Sequence, residues 1–182
     1  MTEQRVSLRY AKAVFELAKS VGTIDIVYKD FSVISDYLKA SGELLKVMKS
    51  PVVKSWRKKQ LLQELFGSLI SQLSLTFILL LADKNRENYL PDILASYEKM
   101  YLSEMNIIKA VITTARELDD TLKAKIISEL TTRLEKTIIP TYKVEPAIKG
   151  GIMIRVEDWV YDATVRNQLS QLRTTLIEGK LV

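Results

Sequence analysis

The chain contains no cysteine and no histidine. Without cysteine, disulfides and thiolate chemistry are excluded. Without histidine, the commonest general base and the commonest metal ligand are both missing, and a zinc site would need carboxylates alone. Carboxylate-only or lysine-based catalysis stays open. Glycine and proline are scarce, at six and four residues, so long regular elements are favoured over loops. Long hydrophobic runs are missing too. The apolar run Phe77–Ala82 falls far short of the roughly 18 residues of a membrane span. The N-terminus has Glu3, Arg5 and Arg9 but no apolar stretch of the secretory type. A soluble chain is expected, with any membrane association made through a partner and no direct membrane insertion.

What is present is ordinary for a globular protein: 182 residues, 47% hydrophobic and 27% charged. That length allows one domain or two small ones and a sizeable core. The net charge of +5 raises the question of nucleic acid or an anionic membrane. The excess is spread evenly, +3 over residues 1–106 and +2 over residues 107–182. Only Lys54, Arg57, Lys58 and Lys59 cluster, and they are read as a solvated helix face rather than a phosphate-binding patch.

Helical periodicity dominates the first half. Over residues 5–21, Val6, Tyr10, Val14, Leu17 and Val21 form one apolar row, and Leu8, Ala11, Phe15 and Ala18 form a second beside it. Together they span an arc of roughly 220°, about twice what a helix needs to cover one core. Either the helix is wrapped on two sides by its own domain, or one side receives a partner. Gly22 ends it. Ile24, Val27, Phe31, Ile34 and Leu38 mark a second helix, stopped near Ser41-Gly42, and a short third runs Glu43–Lys49 before Ser50-Pro51. Residues 53–66 form a fourth, with Trp56, Leu61, Leu62, Leu65 and Phe66 apolar. Residues 69–84 are apolar nearly all round, as a central helix should be. A sixth runs from about Asn88 to Glu104, with Pro91 in its first turn.

The pattern changes at Asn106. Ile107–Ala115 predicts a strand, Asp119 or Asp120 caps a helix whose Leu122, Ile126, Leu130 and Leu134 share a face, and Thr141–Glu145 after Pro140 predicts another strand. Residues 150–176, GGIMIRVEDWVYDATVRNQLSQLRTTL, then read as strand, turn, short strand and helix. Ile152, Ile154 and Val156 alternate with polar neighbours, Asp158-Trp159 interrupts, and Val165, Leu169, Leu172 and Leu176 step by four, three and four. Asp162 and Thr164 both suit its N-cap. The expected fold is α+β in two parts: an antiparallel six-helix bundle over residues 1–106 and a small α/β module over residues 107–182.

No catalytic set emerges. Gly150-Gly151 lacks the third glycine of a dinucleotide loop and the Gly-Lys-Ser/Thr of a phosphate loop, so a tight turn or bulge before a strand is preferred. Glu157, Asp158 and Asp162 offer carboxylates for Mg²⁺, but read as strand residues Glu157 and Asp158 point to opposite faces. A nucleophile with its base cannot be assembled without His or Cys, short of Ser-Lys chemistry. No cofactor is implied.

Several stretches together resemble the delta subunits of bacterial-type F-type ATP synthases, relatives of the mitochondrial oligomycin sensitivity-conferring protein. The most specific is Gly150, Gly151, Arg155, Asp158, Asp162, Thr164, Val165, Arg166, Leu169 and Leu172: a Gly-Gly strand, an Arg, an acidic turn, then Asp-x-Ser/Thr-Val-Arg and spaced leucines. Arg9–Phe15, Ser50–Val53, Leu79–Arg86 and Val111–Ala115 before Leu118 resemble family segments in the same order. Ala147 and Lys149 depart from the apolar approach expected before the glycines.

The resemblance implies a non-catalytic stator subunit in the peripheral stalk, linking the catalytic head to the membrane sector so that proton flow drives ATP synthesis by rotation. It implies that the helical part receives N-terminal segments of the alpha subunits and that the C-terminal part meets the b subunits. It also implies a place at the cytoplasmic face of a bacterial cell membrane, a source favoured by the lack of a transit-like leader. On this reading Leu8, Ala11, Phe15 and Ala18 face an alpha-subunit groove shared with Leu75, Ile78, Leu79 and Ala82, and Phe15→Asp should abolish peptide binding with helix content intact. The Gly150–Leu172 motif residues would serve stalk docking, with Arg155, Asp158, Asp162 and Arg166 as structural fasteners. The rival readings are a basic helical module for nucleic acid or an anionic membrane surface, and a carboxylate-dependent enzyme with a concave polar pocket.

Overall fold

The computed structural model describes residues 2–50 and 52–177. The fold is α+β, with a helical N-terminal part and a four-stranded mixed sheet. The chain divides into two compact units, Met1–Leu102 and Ser103–Val182.

The first unit contains α1 (Thr2–Val21), α2 (Ile24–Ala40), α3 (Gly42–Lys49), α4 (Ser55–Phe66), α5 (Gln72–Asp83) and most of α6 (Leu90–Glu104), with a 3₁₀ turn at Glu87–Tyr89. Gly22 terminates α1 in the left-handed region at φ 72°. Thr23 N–H then reaches back to Ala18 O at 2.8 Å and Gly22 N–H to Lys19 O at 3.2 Å, which satisfies carbonyls that a helix end otherwise leaves open. The Ser41 hydroxyl caps α3 by accepting from Leu44 N–H. Ser50, after α3, is extended; Pro51, expected to enforce that stop, lies outside the described residues.

Helix α5 starts on a cap that spans two helices. The backbone N–H of Ser71 and the hydroxyls of Ser71 and Ser74 all donate to Asp30 Oδ2 of α2, at 3.0, 2.6 and 2.7 Å. A nearly buried carboxylate thus sits at the positive end of a helix, where negative charge is stabilised. The core below is aromatic: Phe15 meets Tyr97 edge-on at 5.5 Å, Phe31 meets Tyr97 at 4.7 Å, and Phe31 and Phe77 lie 5.8 Å apart.

Helix α4 corrects the expectation of a solvated basic face. Trp56 is exposed, with the Arg57 guanidinium 5.2 Å from its ring centroid. The inward positions are Lys58, Leu62 and Phe66. Lys58 does not belong to a solvated face: its ammonium is buried, donating to Met48 O at 2.9 Å and to the Glu87 carboxylate. A buried charge persists only when paired and hydrogen-bonded, and Glu87 supplies the partner.

The second unit is built on β1 (Ile107–Thr114), α7 (Asp120–Leu134), β2 (Thr137–Val144), β3 (Gly151–Val156), β4 (Trp159–Thr164) and α8 (Val165–Ile177). The sheet order is β2-β1-β3-β4. Strand β2 runs parallel to β1, while β3 is antiparallel to both β1 and β4. The register places Ile112 beside Ile154 and Ala110 beside Val156. That face packs with Leu130, Ile126, Ile127 and Leu134. Leu122, expected on the same side, is 47% exposed because it lies in the first turn, where Asp119 Oδ1 accepts its N–H at 2.7 Å. Asp119 is therefore the cap. Strand β2 begins at Thr137, four residues earlier than expected, and contains Pro140. Proline is tolerated there because β2 is an edge strand, where one row of N–H groups needs no ladder partner.

Candidate docking surfaces

Helix α1 carries its two apolar rows into different surroundings. Ala11, Phe15 and Ala18 of the second row are buried together with Val14, while Leu8 is 53% exposed. On α5, Leu75, Ile78 and Ala82 are buried as well, and Leu79 is half-buried. The eight residues expected to line an alpha-subunit groove therefore do not form an open one. Six are core, and only Leu8 and Leu79 retain access to solvent. The other row is more accessible: apart from the buried Val14, Leu17 and Val21 are exposed at 52% and 59%, with Val6 and Tyr10 half-buried. Periodicity measures the width of an apolar arc, but it does not say which edge of the arc faces the core.

The motif stretch forms a hairpin and a helix. Glu157 takes φ 51° between paired Val156 and Trp159, so Glu157 and Asp158 make the turn rather than a strand. Gly151, at φ 76°, lies so close to β4 that an added Cβ would sit 2.2 Å from Ala163 O. Gly150 O accepts Val165 N–H at 3.0 Å. The glycine pair therefore seats the start of β3 against both β4 and the start of α8, as the preferred turn reading anticipates.

Two candidates for the cap of α8 turn out to share the corner. The Thr164 hydroxyl, fully buried, accepts Asn167 N–H at 3.2 Å and is the cap. Asp162 Oδ1 accepts Thr164 N–H at 3.0 Å, and Asn167 Nδ2 donates to Asp162 O. The Thr164 hydroxyl, then its N–H, hold the Asp162 carboxyl below its usual range, and Arg166 adds to this. Asp162 and Thr164 are thus fasteners. Arg155 and Asp158 are exposed and make no side-chain hydrogen bond or ion pair among the described residues.

The outer surface of this stretch is apolar. Trp159, Val160 and Tyr161 are about half exposed, and the two rings stack at 6.0 Å. Leu169, Leu172 and Leu176 are exposed at 50%, 55% and 54%. Spacing identifies the leucines, whereas nothing in the sequence marks the aromatic pair as surface rather than core. Alternate residues share a face of a strand, which puts the two rings together without saying which face is the outer one.

Catalytic alternatives find no support in the clefts. One of about 510 Å³ lies between α2, α3 and α6, with Phe31, Leu38, Leu94 and Tyr97 inside and Asp36, Lys39 and Glu98 among its polar residues. Another of about 840 Å³ is lined by Arg116, Glu117, Asp119 and Lys149 near the glycine pair, where Asp119 is already committed to capping α7. In the first cleft the Lys39 ammonium lies 3.7 Å from the Asp36 carboxylate. No group of metal-ligating side chains occurs among the described residues, and none of their helices is long and apolar enough to cross a membrane. The basic cluster is dispersed too, since Lys58 is buried and Lys59 pairs with Asp83 at 2.6 Å.

Each of the two units has its own core and leaves an apolar strip exposed, on α1 in the first and on β4–α8 in the second. The family model for the ATP synthase delta (OSCP) subunit matches residues 6–176. ATP synthase subunit delta of Carboxydothermus hydrogenoformans is 34% identical over 176 residues, 97% of this chain and 99% of that protein. The Trichlorobacter lovleyi subunit delta is 32% identical over 98% of this chain and its own full length. A chain in the cryo-EM structure of the Toxoplasma gondii mitochondrial ATP synthase hexamer shares the fold, with TM-score 0.73 at 22% identity over 94% of this chain and 97% of that chain. The chain belongs to the ATP synthase delta (OSCP) subunit family.

Proposed function

We propose that this chain is the stator subunit of a proton-translocating F-type ATP synthase, holding the catalytic head still against the turning rotor. The observation that carries the reading is the match over the length of the chain, coupled with an apolar docking strip on each unit. In this reading the N-terminal unit works as an antiparallel six-helix bundle on the head. It takes alpha-subunit N-terminal segments along the accessible row of α1, Leu17 and Val21 with Val6 and Tyr10, because helix-in-groove docking needs an exposed apolar strip. The C-terminal unit holds the b subunits through β4 and α8. The complex sits at the cytoplasmic face of a bacterial cell membrane, with this chain attached through partners. A joint under torque must dissociate slowly, and apolar surfaces suit that better than isolated surface ion pairs.

The test is affinity purification of the tagged chain from its native membranes. Alpha and b subunits are expected in stoichiometric amounts, and deletion of residues 150–182 should lose b while keeping alpha. Retention of b by the truncated chain contradicts the assignment of the C-terminal surface.

A further inference from the structure

Helix α8 is the only described helix with no buried residue. A 13-residue helix that buries none of its residues is marginal in water, yet its sequence is ordered like a packed one. Val165, Leu169, Leu172 and Leu176 step by four, three and four, the seam of a heptad repeat with Val165 and Leu172 at d and Leu169 and Leu176 at a. Arg166 and Arg173, seven residues apart, then both fall at e, the flank where interhelical charge pairs form. The g flank is uncharged, with Gln168 and Thr175, and residues 163–177 contain no Asp or Glu. The nearest acid before the helix is Asp162, whose carboxylate is occupied by Thr164.

From this one-sided charge we infer that α8 pairs with an amphipathic helix carrying acidic residues seven apart beside its own apolar strip, and that Arg166 and Arg173 select it. The inference rests on the reading of the C-terminal unit as the stalk-binding end, and it specifies the chemistry that end recognises. A second copy of this chain is a poorer occupant. An antiparallel copy sets arginine against arginine, and a parallel one sets arginine against Gln168 and Thr175 with no ion pair formed. Strand β4, which runs directly into α8, leaves Trp159, Val160 and Tyr161 exposed as well.

The experiment titrates the full chain with three synthetic three-heptad helices, identical at a and d but carrying Glu, Gln or Lys at every e and g position. The Glu helix should bind about five- to tenfold more tightly than the Gln helix at low salt, and the Lys helix more weakly than either. Double reversal, Arg166→Glu with Arg173→Glu, should invert the order with helix content retained, since both side chains are exposed. Equal binding of all three helices, or an order unmoved by reversal, overturns the inference. So does a dimer of the chain alone that dissociates on Leu172→Asp. The same variant is titrated with the soluble portion of the b subunits. If b binds and reversal leaves its affinity unchanged, charge selection fails while the stalk reading stands. If b does not bind the unaltered chain but the Glu helix does, the stalk reading fails and charge selection stands.

Discussion

Phe15 packs against Tyr97 inside the first unit, so Phe15→Asp removes the fold before it tests any docking. Phe15→Ala is expected to destabilise that unit by about 3–5 kcal/mol, the cost of emptying a buried aromatic site, measured by denaturant unfolding. The Lys58–Glu87 pair makes a different prediction. Lys58→Met leaves Glu87 buried without its cation, at a cost of about 3–5 kcal/mol, whereas Lys58→Met with Glu87→Leu should recover most of that loss. A double-mutant cycle measures the recovery. Titration supplies a third prediction. The folded Asp162 carboxyl lies below its ordinary value, so the protein binds fewer protons at this group when folded. Its contribution is present above the unfolded pKa near 4 and is lost as pH falls through the folded value. Asp162→Asn should remove that part of the acid sensitivity of the second unit. Tyr101 runs the other way. Its donation to Asp25 pushes it up to about 12, so its contribution fades as pH rises from about 10 through about 12.

At the scale of elements, helices were legible because their apolar spacing is local. What stayed hidden was decided by distant residues. Lys58 reads as surface because Glu87, its partner, is 29 positions away. The inner and outer rows of α1 look alike until Tyr97 claims Phe15. Strand β2 reads as starting after Pro140 because proline argues against a strand interior, and only the sheet order reveals an edge. The motif stretch was the most legible part: its glycines, cap and leucines each have a local reason for their spacing. From the accessible row follows an element-scale prediction. Leu17→Asp should weaken binding of an alpha-subunit N-terminal peptide by at least about tenfold with helix content retained, since the complex would then bury a carboxylate without a partner. Unchanged affinity by titration would place the docking strip elsewhere. Gly151→Ala, forced against Ala163 O from a left-handed backbone, should destabilise the second unit by about 1–3 kcal/mol.

At the scale of the whole molecule, each unit has its own core, and one stretch of chain runs from α6 into β1. In the stator reading the head is held by one unit and the stalk by the other, so the covalent link between them transmits the holding force. The most direct test inserts a protease site after Met105 in a chain that restores ATP synthesis to delta-depleted ATP synthase vesicles, and measures proton-driven ATP synthesis before and after cleavage. The account predicts that synthesis collapses on cleavage while ATP hydrolysis by the head continues. Synthesis that continues undiminished after complete cleavage would contradict it.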